Sequence, residues 1–406
     1  MAEATTTSAV SQAPTSSLYW LALGTFAVGT EGHMIAAILP RIASDLSVSV
    51  EAAGQLVTIF ALTYAFSSPL LTTLFGHVDR RRILLAGMGL FVISNVLAAL
   101  TPSYGLLAVA RVLLAMSAGL YVPNANALGS ALVPPERRGR ALAIVSGGLG
   151  VAVAIGVPLG SFVGITFGWR MPFIGVAVLS AVAFIGLIAG LPKDIGKGLS
   201  APSLRDRIRV IKRPGVGPAL LQTVFLGMGA YCAYTYVAPF LAAVGGITGS
   251  ALTQALFVFG VCAFIGIVVS GHISDRIGSR RVVAYSFAAI IISYLAMFLL
   301  PHVMPPESTK LPAFVLVGIW GFSSWAFFPA QQSRLIGVAG HSVGSIVLSL
   351  NASGMYLGFS IGAGIGSLVL TKVDVVNLGW VSALFVTVSL MLLAFTGRHE
   401  RHAKLH

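Results

Sequence analysis

Long apolar runs separated by short polar loops dominate the chain, and each run is about as long as a membrane crossing. A helix needs about 20 residues to span the ~30 Å hydrocarbon layer. Runs of that length fall near 18–39, 53–75, 83–101, 104–126, 141–164 and 171–191. After a polar stretch, a second set falls near 217–243, 251–270, 282–300, 312–331, 343–370 and 376–396. The pattern predicts an all-α polytopic membrane protein with twelve transmembrane helices in two pseudo-symmetric six-helix halves. The expected segments are a tail at 1–17, a first half at 18–191, a linker at 192–216, a second half at 217–396 and a tail at 397–406.

Loop charges orient this bundle. With both ends on one side, 20 of the 25 Lys and Arg fall in segments on that side and four on the other, with Arg111 left over. The positive-inside bias makes that side cytoplasmic and favours an even number of crossings. Composition agrees: 56% of the 406 residues are hydrophobic and only 9% are charged, against about 25% charged in soluble domains. The net charge of +13 is dispersed over short loops, so it reads as membrane orientation and excludes nucleic-acid binding. Residues 1–17 carry no Lys or Arg, unlike a secretory signal, so the first run reads as a retained helix. The linker segment 203–212 reads either as a short basic amphipathic helix on the anionic inner leaflet or as a solvated connection.

Cys232 and Cys262 fall inside apolar runs and read as packing residues. The tail histidines His399, His402 and His406 sit among cations without a thiolate, so no metal site is expected there. No cofactor motif is present; the phosphate-cradling G-x-x-x-x-G-K-[ST] loop is absent.

Two formally charged residues lie deep in the predicted spans, Glu31 and Arg111. A charge at the centre of a membrane helix costs roughly 2.5–3.5 kcal/mol on insertion scales. Such residues usually face a partner or a cavity. Both sit at comparable depth, roughly 10–12 Å from the outer ends of spans one and four. His33 lies two residues on, off the Glu31 face of a regular helix. It reads first as a satisfied polar residue and second as another titrating group. The second half is read as having no charge in its spans. It offers Gln222, Tyr231, Tyr234, Tyr236, Trp320, Trp325 and Asn351, and span four adds Asn124 and Asn126. Tyr and Trp combine apolar area with one hydrogen bond, which suits a cavity for an amphipathic ligand.

A signature repeats after the second span of each half. Gly76-His77-Val78-Asp79-Arg80 is echoed by Gly271-His272-Ile273-Ser274-Asp275-Arg276, as in transporters built from a duplicated unit. The longer copy, Gly271 to Arg281, fits G-x-x-x-D-R-x-G-x-R-R. Span four carries Ala110-Arg111-Val112-Leu113, with Pro134-Pro135-Glu136-Arg137-Arg138-Gly139-Arg140 in its loop. Span five carries Gly156-Val157-Pro158-Leu159-Gly160-Ser161, followed by Gly168-Trp169-Arg170. Span one carries Gly29-Thr30-Glu31, then Leu39-Pro40-Arg41-Ile42-Ala43-Ser44-Asp45-Leu46.

On these motifs, residues 18–396 resemble the major facilitator superfamily. Span one looks like its bacterial branch of drug:proton antiporters and arabinose, chloramphenicol and nucleoside efflux permeases. The resemblance implies the major facilitator fold, with spans one and four bordering a central cavity. It implies a secondary transporter in the bacterial cytoplasmic membrane, both termini cytoplasmic. Such a protein exports a small organic compound of drug, sugar or nucleoside class by proton antiport with alternating access. Glu31 is then the proton carrier and Arg111 its electrostatic partner or a substrate anchor. Asp79, Arg80, Arg82, Gly271, Asp275, Arg276 and Arg280 become a cytoplasmic gate, with Gly271 allowing close helix approach and the arginines pairing across that face. Gly156, Pro158 and Gly160 become a bending, close-packing element. Gly354, Gly358, Gly362 and Gly366 form a small-residue stripe in span eleven.

Three departures stand out. The first-half loop lacks the Gly before its Arg81-Arg82 pair, Val157 separates Gly from Pro in span five, and Gly32-His33 stands where relatives often carry an aromatic. The expected partners are a small-molecule substrate, protons and the lipid bilayer, with the chain a monomer. A proton symporter or facilitator is the nearest alternative. A non-transporting sensor or a membrane enzyme is more remote, since only Glu31, His33 and Arg111 supply chemistry at membrane depth.

Overall fold

Residues 16–134, 137–192 and 202–402 are described by a computed structural model. Most of the N-terminal tail, Pro135 and Glu136 of the loop motif, Lys193, Asp194 and Lys197 of the linker, and His406 lie outside the described residues, as do the side chains of His399 and His402. Twelve helical segments are long and apolar enough to cross a membrane, and no strand occurs among the described residues. The first half contains α1 (Ser16–Asp45), α2 (Val50–Leu74), α3 (Arg80–Leu100), α4 (Tyr104–Ala131), α5 (Arg138–Val151), α6 (Val157–Phe167) and α7 (Met171–Gly190). A short α8 (Leu204–Ile211) follows. The second half contains α9 (Val216–Tyr234), α10 (Val237–Gly245), α11 (Ser250–Ile277), α12 (Ser279–Val303), α13 (Pro306–Ala339), α14 (Gly344–Lys372) and α15 (Leu378–His402).

Two spans expected to be continuous are not. The fifth passes from α5 through a π turn at Ala152–Gly156 into α6. Pro158 has no N–H, and its ring would strike the carbonyl of Ala154 in a regular helix; a widened π turn accommodates it. The seventh stops at Tyr234 and restarts at Val237. There Pro239 removes the bond to the Thr235 carbonyl.

Other helices outrun their apolar cores. α13 continues to Ala339, so Arg334 lies within the helix and is buried. The reading that the second-half spans carry no charge is therefore corrected: polarity marked the end of the apolar run, not of the helix. The segment at 203–212 contains helix α8, started by a capping box in which Ser203 and Asp206 exchange hydrogen bonds. The Ser203 hydroxyl, then its amide, hold the Asp206 carboxyl below the usual carboxylate range.

Small residues set the helix spacing. Along α14, Gly358, Gly362 and Gly366 lie directly on the backbone carbonyls of Val224, Met228 and Cys232 in α9. In the first half, Gly156 faces Thr30, Gly160 faces Met34 and Gly164 faces Ile38. The constant offset makes α6 parallel to α1 at backbone-to-side-chain contact. In lipid, where helix association rests on packing and not on expulsion of water, such stripes carry the fold.

The halves meet along two antiparallel seams related by the internal repeat. Between α2 and α14, Ser367 Oγ donates to the Glu51 carbonyl at 3.4 Å and Ser360 Oγ to the Thr58 carbonyl at 3.2 Å. Tyr64 then stacks on Tyr356 with ring centroids 3.7 Å apart. Between the fifth span and α11, Ser161 meets Thr253 at 3.4 Å, and Gly260 lies on the backbone of Val153 and Ala154 in the π turn. Each seam pairs the second span of one half with the fifth of the other.

Gly362→Val should separate α14 from α9, since its Cβ would enter the Met228 carbonyl; overpacking of this kind costs about 1–3 kcal/mol or more. Thermal unfolding in detergent, followed by size exclusion, should show a clear loss of midpoint. Gly364→Ala in the same helix has open space around the added methyl and should unfold like the parent.

Candidate functional site

The site is built on α1, whose segment from Ala27 to Leu39 is buried throughout. Glu31 and Arg111 are both fully buried, and Arg111 Nη1 donates to Glu31 Oε1. Arg111 Nε donates to the Leu56 carbonyl at 3.2 Å, and the guanidinium carbon lies 4.2 Å from the Phe60 ring centroid. One side chain of α4 thus binds α1 by charge and α2 by hydrogen bond and cation–π contact. Glu31 Oε2 and Arg111 Nη2 are buried without a hydrogen-bond partner among the described residues. The pair is satisfied on one edge only, an expensive arrangement for buried charges.

His33 leaves this face, as the helical spacing predicts. Its Nδ1–H donates to the Gly29 carbonyl at 2.9 Å. Its ring lies 6.2 Å from Tyr231, 6.2 Å from Tyr234 and 6.0 Å from Trp325, centroid to centroid. The first half therefore presents an acid, a guanidinium and an imidazole to an aromatic wall of the second half. That wall continues as Tyr231 stacked on Phe359 at 3.7 Å, with Tyr356 5.3 Å from Phe359. Tyr231 and Tyr356 lie within electrostatic reach of both Glu31 and Arg111.

Phe60, Tyr64, Tyr356 and Phe359 were not singled out from the sequence. Their signal is helical spacing, Phe60 four residues before Tyr64 and Tyr356 three before Phe359. That spacing put one pair on a single face of α2 and the other on a single face of α14.

The remaining cavity candidates scatter. Trp320 is fully buried against Phe259 and Tyr294 inside the second half. Tyr236 sits in the α2–α14 seam, packed at Gly54 and Gly366, its hydroxyl donating to the Ala363 carbonyl at 3.2 Å. Gln222 Oε1 accepts from Arg334 Nη1 at 2.6 Å, and Asn351 Oδ1 accepts from Thr223 Oγ1 at 2.7 Å. With Gln331 these form a buried polar cluster of α9, α13 and α14. Asn124 accepts from Arg80 Nη1 and donates to the Leu120 carbonyl at 2.6 Å; Asn126 accepts from Ser146 at 2.9 Å. Both lie roughly 20 Å along α4 from Arg111.

The expected gate residues act locally. Asp79 caps α3 by accepting from the Arg81 amide at 2.8 Å. Arg81 donates to the carbonyls of Leu191 and Ile188, both at 3.0 Å, at the end of α7. Arg280 in the second half donates to the Leu393 carbonyl at 2.8 Å, inside α15 and well before that helix ends at His402. In the first half Arg81 thus lies against a helix C-terminus, where the macrodipole favours a cation. Arg81 was missed because its neighbours Arg80 and Arg82 offer the same charge. Arg82, Asp275 and Arg276 are exposed.

Gly271 corrects its reading: a Cβ there meets open space, so close helix approach is not its role. The second glycine of the motif, Gly278, holds φ +88° between α11 and α12, a conformation that disfavours other residues. At the opposite end of the bundle two quoted motifs meet. Asp45 accepts from Trp169 Nε1 at 3.0 Å and from Arg170 Nη1 at 2.5 Å, and Arg170 donates on to the Thr101 carbonyl at 3.1 Å.

No group of three or more metal-ligating side chains occurs among the described residues. The arrangement sets one buried carboxylate, paired with a guanidinium, close to aromatic rings of the other half. The profile of the Major Facilitator Superfamily matches residues 21–351. The chain is 32% identical over 389 residues to an uncharacterized MFS-type transporter, YbcL, of Bacillus subtilis, covering 95% of this chain and 97% of that one. It is 30% identical over 360 residues to the purine ribonucleoside efflux pump NepI of Shigella dysenteriae, covering 88% and 86%. The crystal structure of a bacterial homolog of the human lysosomal transporter Spinster, inward-facing and unoccupied, superposes with a TM-score of 0.72 at 18% identity, covering 94% and 96%. A twelve-span bundle of two facing halves, matched along most of its length, makes this multi-pass membrane protein a transporter of the Major Facilitator Superfamily.

Proposed function

We propose that this chain exports a small organic compound of the drug, sugar or nucleoside class across a bacterial cytoplasmic membrane, driven by proton entry. The observation that carries the reading is the Glu31–Arg111 pair, buried and half satisfied, beside aromatic rings from the other half. A proton arriving at Glu31 neutralises the carboxylate and releases Arg111. The released guanidinium must find other acceptors, and Arg111 already holds the Leu56 carbonyl and the Phe60 face. Protonation therefore loosens α1 from α4 while leaving α4 tied to α2. Cargo held against Tyr231, Tyr234 and Trp325 contacts the same stretch of α1 through His33. Occupancy of the wall and protonation of the acid then bear on one helix, as exchange of one for the other requires.

The energy is adequate. One charge moved through 100 mV is worth ~2.3 kcal/mol, enough for roughly a fifty-fold gradient of neutral cargo. Export is favoured by the efflux function named for the nucleoside relative. The basic side of the bundle, which holds α8, is taken as cytoplasmic, with both termini expected on that side.

Counterflow in proteoliposomes with a compound panel, with and without a pH gradient, tests this. Glu31→Gln should abolish proton-driven accumulation and spare exchange. Undiminished uphill transport by that variant would remove Glu31 from the mechanism. Arg111→Ala leaves a buried carboxylate alone, which costs about 3–5 kcal/mol when the charge stays. Its unfolding midpoint in detergent should drop sharply. Glu31→Gln combined with Arg111→Met should recover most of that loss, because a neutral packed pair replaces a buried ionic one at little cost.

A further inference from the structure

Helix α8 presents three distinct faces. Arg207 and Val210 turn inward and are buried. Leu204, Ile208 and Ile211, at i, i+4 and i+7, form an exposed apolar stripe. Arg205, Arg209 and Lys212 form an exposed basic stripe beside it, about 100° round the helix at 3.6 residues per turn. An apolar stripe flanked by cations is the composition of a helix lying in a membrane interface. The helix sits at the end of the bundle where the exposed loops carry most of the positive charge.

The inward face adds a second, independent feature. Arg207 Nη1 donates to Ser349 Oγ of α14 at 2.8 Å, and Nη2 donates to Thr72 Oγ1 of α2 at 3.2 Å. The guanidinium thus closes the last turn of the α2–α14 seam, below the Tyr64–Tyr356 stack, by holding one hydroxyl from each half. Neutral hydroxyls make this a bridge that can open. Val210 anchors the helix in a small cluster with Val216, Ala219, Leu335 and Val347.

We propose that α8 is a membrane-surface arm. Its outer faces seat in the anionic headgroups of the adjacent leaflet, and through Arg207 that seating holds α2 and α14 together at this end of the bundle. Anionic lipid then biases the seam toward its closed form, whatever cargo the central site takes. The partner is the charged bilayer surface itself: each basic residue near such a surface contributes about fivefold in partition.

The test needs no transport assay. Ile208→Cys in a Cys262→Ala background carries an environment-sensitive fluorophore, and the protein is placed in nanodiscs with roughly 30% phosphatidylglycerol in phosphatidylcholine. Bromine-labelled phosphatidylglycerol should quench the probe about twofold or more beyond equal brominated phosphatidylcholine. Arg205→Gln, Arg209→Gln and Lys212→Gln together should abolish the difference. Hydrogen exchange at 68–74 and 344–350 should slow several-fold when phosphatidylglycerol is added, and Arg207→Met should lose that slowing. If Arg207→Met is not monodisperse, Thr72→Ala with Ser349→Ala removes the same bridge from the bundle's side and should behave alike. Equal quenching by both lipids, or protection that survives loss of the bridge, overturns the proposal.

Discussion

An arginine and a glutamate share a space from which water and lipid headgroups are both excluded, and neither is tolerable there without the other. Arg111 answers this by reaching three places at once: the Glu31 carboxylate on α1, the Leu56 carbonyl on α2 and the Phe60 ring. Three of the six spans of the first half are thereby held by one side chain. The pair is incomplete, since one oxygen and one nitrogen have no partner among the described residues. A fully satisfied pair would be a permanent strut. One satisfied along a single edge is the kind of pair that the proposed proton-driven mechanism needs.

Around this centre the fold divides its labour between two kinds of contact. Within each half, glycines bring backbones together, as Gly362 on the Met228 carbonyl and Gly156 against Thr30 illustrate. Contacts of that type are rigid, because any separation forfeits packing over a whole helix face. Between the halves, Gly260 also lies on the backbone of the π turn, but much of the contact is different in kind: single hydroxyls on carbonyls, the Tyr64–Tyr356 stack, and the Arg207 bridge. These cost little to break one at a time. The chemistry of the interfaces therefore suits two stiff bodies that move against each other. The two discontinuous spans, at Pro158 and near Pro239, lie where those bodies meet.

The polar cluster of Gln222, Gln331, Arg334 and Asn351 has a different character from the central pair. Among its contacts, its arginine donates to the amide oxygens of Gln222 and Gln331 in its own half. It ties α9 to α13 and, among the described residues, places no carboxylate beside the aromatic wall. Burial alone thus does not single out Glu31; what does is a buried carboxylate close to aromatic rings of the other half.

Much was legible in the chain itself. Twelve crossings, the repeat and the depth of Glu31 and Arg111 follow from hydrophobicity and spacing, because a bilayer forces each span to satisfy its own backbone. The outward turn of His33 from the Glu31 face follows from helical geometry. What tertiary structure decided is which side chains meet. Arg334 looked like a loop residue because polarity ends an apolar run without ending a helix. Gly271 looked like a packing residue, and the packing glycines of the same type lie elsewhere. Asn124 and Asn126 share α4 with Arg111 yet serve α3 and α5, and Phe60, Tyr64, Tyr356 and Phe359 gain their place only when the two halves come together. Hydrophobic period determines how a span sits in the membrane; its partners depend on contacts between residues far apart in sequence, and no local pattern encodes those.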